Sequence, residues 1–263
     1  MKVFSPEAIA RVERHWHNRP ELPISYATVR DFCEYSDVCP EMFAGCYDLK
    51  DAQRPWVVRA ILSTVPRGSS LVEIGGGQPF VAQALVDLGY KVTVVDPYDG
   101  TGNGPVEYEL YQREYPEVQL VRSFFTPDCG FTPEQFDCVY SVSVIEHVPI
   151  PHLASLFEAS RKFVRKGGAS VHCIDVVTKG WLTQESATSN REILRQQYHL
   201  TGQMELMETA VYQELVDRME DDLETFYLSA HGHNGWRTGL GLSYEHFSFR
   251  KVASMQLCGK IRG

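Results

Sequence analysis

The sequence has no long apolar run, no low-complexity tract and no internal repeat. Without some 20 consecutive apolar residues, no membrane-spanning helix is expected. Met1-Lys2-Val3-Phe4-Ser5-Pro6-Glu7 lacks the apolar segment of a secretory leader, so the expected location is cytoplasmic, with no membrane partner. Paired cysteines are missing too. Seven cysteines, an odd number, show no tight spacing and read as reduced thiols. Cys33, Cys39 and Cys46 form one loose cluster, spaced too widely for a zinc knuckle, and no metal is expected. Positive charge is also scarce: 25 Lys and Arg stand against 34 Asp and Glu, a formal net charge of -9. The densest basic group, Arg161-Lys162 with Arg165-Lys166, falls at the end of an expected helix, where cations complement the dipole. Nucleic acid is therefore not an expected partner. No oligomeric state follows from the sequence.

What is present is a chain of 263 residues, 43% hydrophobic, enough to bury a full core in one α/β domain with extra segments. Strand and helix signals alternate through its middle. Leu71–Ile74 is a short apolar strand ending in Gly75-Gly76-Gly77, and Pro79 suits the first turn of a helix that stops at Gly89. Lys91–Asp96 is a second strand, Pro105 and Pro116 bound a second helix, and Val118–Val121 is a third strand. Phe136–Val142 is a fourth strand, Pro151 opens a helix running to Gly167-Gly168, and Ala169–Val176 is a fifth strand. Such alternation predicts a doubly wound, mostly parallel sheet covered on both faces. Residues 1–66 read as a helical cover, 67–178 as the core, 179–224 as a second helical cover, and 225–263 as the final strands, near Thr225–Ser229 and Val252–Leu257.

A strand entering Gly75-Gly76-Gly77 and then a helix makes a tight turn at the carboxyl end of the sheet, where such folds bind ligands. A glycine turn alone is also an ordinary strand–helix connection. Two carboxylates sharpen the reading. Glu73 stands just before the turn, and Asp96 ends the second strand, where a carboxylate can accept both hydroxyls of a ribose. Each acid could separately be a cap; together with the glycines, in this order, they point to a nucleoside. A dinucleotide site wants Gly or Ala at the sixth fingerprint position, but Phe80 stands there, and Glu73 would face an anionic pyrophosphate. S-adenosylmethionine has no phosphate and carries a sulfonium and an ammonium, which an acid attracts.

At these residues the chain resembles the class I S-adenosylmethionine-dependent methyltransferases. Glu73-Ile74-Gly75-Gly76-Gly77 matches the family's first motif and Val94-Val95-Asp96 its second. Phe136-Asp137-Cys138-Val139-Tyr140-Ser141 matches its fourth, followed by Ser143-Val144-Ile145-Glu146-His147-Val148. The resemblance covers roughly residues 67–178 and implies a Rossmann-like, seven-stranded fold, with S-adenosylmethionine as cofactor. It implies that Glu73, Gly75, Gly76 and Gly77 face the methionine end and that Asp96, with Pro97 beside it, holds the ribose. Ser141 and Val142 would line the sulfonium side. Where many members carry an acid for the adenine amine, this chain has Arg122-Ser123-Phe124-Phe125; Ser123 would bond the adenine edge and Phe124 stack on it. The glycine-rich Asp99–Pro105 segment would fold over the adenosine or form a plain surface connection.

Methyl transfer from a sulfonium asks mainly for alignment, and a base only where the nucleophile must lose a proton. The expected catalytic residues are His147, oriented by Glu146, together with Asp175 near the carboxyl end of the fifth strand and His233. His147 could equally open the next helix. His172 lies three residues from Asp175, hence on the opposite face, and reads as a satisfied core histidine. His231–Arg237, read as a loop, would touch the acceptor or, with Asp175, hold a metal; it could also be plain surface. Arg54, with Gln53 and Trp56, would close over the methionine carboxylate or pack a helix. Tyr26 and Tyr35 would line a lid, and Glu220-Asp221-Asp222 reads as a solvated helix face. The expected function is methyl transfer to a small-molecule acceptor such as a metabolite, sugar or natural-product intermediate. A non-catalytic S-adenosylmethionine-binding protein and an NAD-dependent oxidoreductase are the competing readings.

Overall fold

The computed structural model describes residues 2–17, 19–43, 48–101 and 104–263. Cys46, Gly102 and Asn103, which the sequence reading placed in a cysteine cluster and an adenosine loop, lie outside them. The elements in order are α1 (Pro6–Trp16), β1 (Ile24–Tyr26), α2 (Val29–Val38), α3 (Lys50–Thr64), β2 (Ser70–Ile74), α4 (Phe80–Asp87), β3 (Lys91–Asp96), α5 (Tyr108–Glu114), β4 (Gln119–Arg122) and β5 (Phe136–Val142). They continue with α6 (Ile150–Phe163), β6 (Val164–Gly180), α7 (Thr183–Thr201), α8 (Thr209–Asp221), α9 (Ala230–Gly239) and β7 (Arg250–Lys260).

The seven strands form one sheet in the order β1-β7-β6-β5-β2-β3-β4. β4, β3, β2, β5 and β6 pair in parallel, while β7 runs antiparallel between β6 and β1. From β2 the chain winds outward through β3 and β4, then returns to β5 and winds the other way. The reversal falls between β2 and β5, and ligands of doubly wound sheets bind in the crevice beyond such a point.

Near-continuous apolar strands send alternate residues to opposite faces. Leu71, Val94, Cys138 and Cys173 join α1 to α4 in one core. Val72, Val95, Val139 and Ile174 join α6, α7 and α8 in the other. The same parity places Glu73, Tyr140 and Asp175 on the α3 face, and Ser141 and His172 on the α6–α7 face.

Three expectations need correction. Thr225–Ser229 is no strand: Thr225 and Tyr227 make isolated bridges, to Thr28 and Ala253. The seventh strand is Ile24–Tyr26, whose three residues inside a helical region gave no alternating pattern. His231–Arg237 is not a loop but most of α9, nucleated where the Ser229 side chain accepts the Gly232 N–H at 2.9 Å. Finally, α6 ends at Phe163, before the Gly167-Gly168 pair, which lies inside β6.

His172 is the core histidine expected from its strand. It is fully buried, with Ser141 Oγ 2.8 Å from Nδ1 and Ser170 Oγ 3.0 Å from Nε2. Burial lowers its pKa to about 3. An unfolded histidine takes a proton near pH 6.5, so between about pH 6.5 and 3 the unfolded chain binds more protons. Stability should therefore be lost as pH falls through that window, by up to about 1.4 kcal/mol per pH unit from this group. His172→Gln is expected to flatten the acid side of a melting-temperature-versus-pH curve; an unchanged slope would contradict the neutral assignment.

Candidate active site

The crevice between β2 and β5 is floored by the glycine turn. Gly75 takes φ +63 and Gly77 φ +50, conformations that L side chains seldom adopt. Gly75 donates its N–H to the Val95 carbonyl at 2.8 Å, tying the turn to β3. A Cβ on Gly76 would lie 2.7 Å from Glu73 Cδ and 2.9 Å from Val94 Cγ1. The absent side chain is thus what lets the Glu73 carboxylate tuck against the turn.

Glu73 is 3% exposed and accepts a hydrogen bond from the Tyr140 hydroxyl at 3.0 Å. Burial raises its pKa to about 8, against the lowering effects of the Tyr140 bond and the Arg54 charge. Arg54, on α3, lies over the ring of Phe80, the first residue of α4, at 5.4 Å. The result is an acid held largely neutral at pH 7, which a cation placed beside it would ionise.

Asp96 ends β3 and braces the turn, accepting the N–H groups of Gly77 at 3.1 Å and Tyr98 at 2.8 Å. Burial raises its pKa from the ordinary value, and those two N–H bonds oppose the rise. Tyr98, which the sequence reading missed, has φ +49 and donates its hydroxyl to the Gly77 carbonyl at 3.0 Å. The chain thus leaves β3 through Pro97 and locks back onto the turn. Ser123 and Phe124 follow β4 at the same edge. The Ser123 N–H reaches the Asp96 carbonyl at 3.1 Å, its hydroxyl donates to the Phe124 carbonyl, and the Phe124 ring is 55% exposed, an open apolar face beside the acid.

On the β5 side one expected residue turns elsewhere. Ser141 is fully buried and commits its hydroxyl to His172 beneath the sheet, so its side chain does not line the crevice. Val142 packs partly into the α3-face core. The crevice residue here is Ser143, at φ +52, whose hydroxyl donates to Asp175 Oδ2 at 3.2 Å.

Asp175 is the centre of a polar cluster that the sequence did not reveal as one. Gln53 of α3 donates its Nε2 to Asp175 Oδ1 at 2.8 Å. Glu146, in a short 3-10 turn with His147, accepts the Asp175 backbone N–H on Oε1 at 2.9 Å, while its Oε2 is shut off from solvent and has no partner. Glu146 therefore braces Asp175 more directly than it orients His147. Burial raises the pKa of both carboxylates; for Glu146 the Asp175 charge adds to the rise, and for Asp175 the Gln53 bond and the His147 charge oppose it. Each of these acids is therefore held above the ordinary carboxylate range. Glu146, exposed His147 and Asp175 also bring potential metal-ligand atoms within 4.8 Å of one another, a grouping the sequence reading, which expected no metal, did not anticipate.

His233 does not belong to this group. It is 5% exposed, its Nε2 is 3.2 Å from the Ser248 carbonyl, and its ring lies against Phe247 and Phe249 at 5.3 and 5.2 Å. Once Ser229 starts α9, the His233 position turns inward, and its expected acceptor role is withdrawn. Nor does it join a ligand group with His231 and Asp175 among the described residues.

Residues 50–209 match the family model described as a methyltransferase domain, and the chain belongs to that family. Among curated proteins it is 29% identical over 116 residues to the uncharacterised protein Rv1509 of Mycobacterium tuberculosis, covering 42% of this chain and 37% of that protein. It is 29% identical over 129 residues to the ubiquinone biosynthesis O-methyltransferase of Pseudomonas syringae pv. tomato, covering 48% of this chain and 51% of that one. The matches thus span about half or less of those relatives' lengths. Similar solved structures include geranyl diphosphate C-methyltransferase from Streptomyces coelicolor A3(2), at TM-score 0.48 and 18% identity, covering 96% of this chain and 98% of that one. Phosphoethanolamine N-methyltransferase 2 of Haemonchus contortus matches at TM-score 0.45 and 17% identity, covering 89% and 57%. No helix among the described residues is long and apolar enough to cross a membrane.

Proposed function

We propose that this chain is an S-adenosylmethionine-dependent methyltransferase acting on a small-molecule acceptor. The observation that carries this is the Glu73 carboxylate, buried against a glycine turn where a Cβ would collide with it. A cation beside such an acid ionises it, and once ionised it repels a pyrophosphate, which fits a nucleoside with a sulfonium and an ammonium in place of phosphates. When bound, S-adenosylmethionine supplies a methyl group on a cationic sulfur, already poised to leave.

The chain's own residues then do three things. Asp96 accepts ribose hydroxyls with the lone pairs left after Gly77 and Tyr98. Glu73 and Arg54 flank the methionine end with opposite charges. Beyond the glycine turn, Asp175, Glu146 and His147 receive the proton that an acceptor hydroxyl or amine must lose. Gln53 and Ser143 hold the Asp175 carboxylate in one orientation, which is the alignment such transfers need.

Asp96→Ala is expected to weaken S-adenosylhomocysteine by about 1–3 kcal/mol, roughly 5- to 150-fold, from lost charged hydrogen bonds. Calorimetric titration of both proteins measures this, and equal affinities would remove the ribose assignment. Methyl transfer itself is tested by incubating the protein with methyl-labelled S-adenosylmethionine and small-molecule extracts. A labelled product is expected; binding without any product would instead favour the non-catalytic reading.

A further inference from the structure

Arg250 opens β7 opposite Gly180 of β6, beyond the stretch of that antiparallel pair where Asp175 faces Ser254. Its guanidinium lies over the rings of Phe247 at 4.5 Å and Trp181 at 5.2 Å. Its Nε is shut off from solvent and makes no hydrogen bond. Among the described residues no carboxylate forms an ion pair with it. Burial pushes its pKa down from the ordinary value while the Asp175 charge pushes it up, so it shares the field of the Asp175 cluster without touching it.

A guanidinium stays charged in proteins, and removing even one of its N–H groups from water without a partner is costly. Here stacking on two rings fixes the guanidinium plane, while the Nε–H is shut off from water with no partner of its own. A planar, charged fork with an unpartnered Nε–H matches an oxyanion better than any neutral group.

We infer that Arg250 binds an oxyanion, a carboxylate or phosphate, carried by the methyl acceptor. This rests on the methyl-transfer reading of the same crevice. The acceptor is then a small molecule with two unlike ends: an anionic group on Arg250, and a nucleophile that gives up its proton at Asp175 and Glu146. The same polarity disfavours acceptors whose anionic group would have to lie against those carboxylates.

The test uses the full chain saturated with S-adenosylhomocysteine and titrated with sodium benzoate, sodium phosphate or neutral benzamide at matched ionic strength. Arginine Nε–H resonances are followed by NMR, with affinities from calorimetry. A saturable shift of the Arg250 resonance is expected with benzoate or phosphate, the stronger of the two identifying the anion, and at least tenfold weaker binding for benzamide. Arg250→Gln should lower anion affinity at least tenfold with S-adenosylhomocysteine affinity unchanged, and Arg250→Lys should recover part of it. No saturable shift with either anion, or equal anion affinity in Arg250→Gln, would overturn the inference. Failure of S-adenosylhomocysteine to bind would instead contradict the function proposed above, and the same titrations on the unloaded protein would still decide the role of Arg250.

Discussion

Glu73→Gln is expected to weaken S-adenosylmethionine by about 10- to 100-fold and to abolish a proton release that accompanies its binding to the wild-type chain. Burial holds the Glu73 pKa near 8 in the free protein, so at pH 7 the carboxyl is mostly protonated. A cation seated beside it favours the ionised form, and the proton leaves as the cofactor arrives. The sign follows directly. Below pH 8, each unit of acid makes the ionised form about tenfold rarer, so affinity should rise from pH 6 to pH 8 and then level off. About one proton should be released at pH 7 and almost none above pH 9. Calorimetry in two buffers of different ionisation enthalpy counts the protons. An affinity independent of pH, with no proton released, would mean that Glu73 does not face the bound cation. The loss in Glu73→Gln is sized as one charge-assisted interaction, about 1.5–3 kcal/mol.

Asp175→Asn carries the second large expectation: with an acceptor the wild-type chain turns over, kcat should fall by about 100- to 10,000-fold, the range of a lost general base. Gln53, Ser143 and Glu146 all converge on Asp175, so its replacement removes the acceptor of a positioned proton. The pH profile separates this from simple misfolding. In the wild type both carboxylates are raised by burial, so the rate should climb with pH above the ordinary carboxylate range. In Asp175→Asn the neighbouring charge is gone, Glu146 ionises more easily, and the residual rate should climb at lower pH. Unchanged S-adenosylhomocysteine binding would confirm that the crevice is intact. A wild-type rate in this variant would move the proton-accepting role elsewhere.

The proposed cofactor half of the site is local in the sequence. A strand, a glycine turn, a helix and a second strand ending in an acid lie within residues 70–96, and period-2 and helical patterns place each one. The proposed acceptor half is not, because its residues come from distant segments. Gln53, Ser143 and Glu146 meet Asp175 only once α3 and the turn after β5 are laid against β6, and no spacing in the chain encodes that. Ser141 was misplaced because a strand's end does not say which face carries the cavity; its parity with Val139 put it on the α6–α7 side. His233 was misread for a different reason. Three glycines in the 230–239 segment suggested a loop, whereas the Ser229 cap and burial of the His233 ring between Phe247 and Phe249 held a helix. β1 escaped notice because three residues cannot show a period, and its pairing with β7 is set by an element more than two hundred residues away.

Titrating the unliganded wild-type chain calorimetrically with S-adenosylmethionine and, separately, with NAD at pH 8 asks which nucleoside the acid-flanked crevice accepts. S-adenosylmethionine is predicted to bind with micromolar affinity and NAD at least 100-fold more weakly. NAD binding as tightly as S-adenosylmethionine would show that a pyrophosphate sits comfortably beside Glu73, contrary to the electrostatics on which the assignment stands.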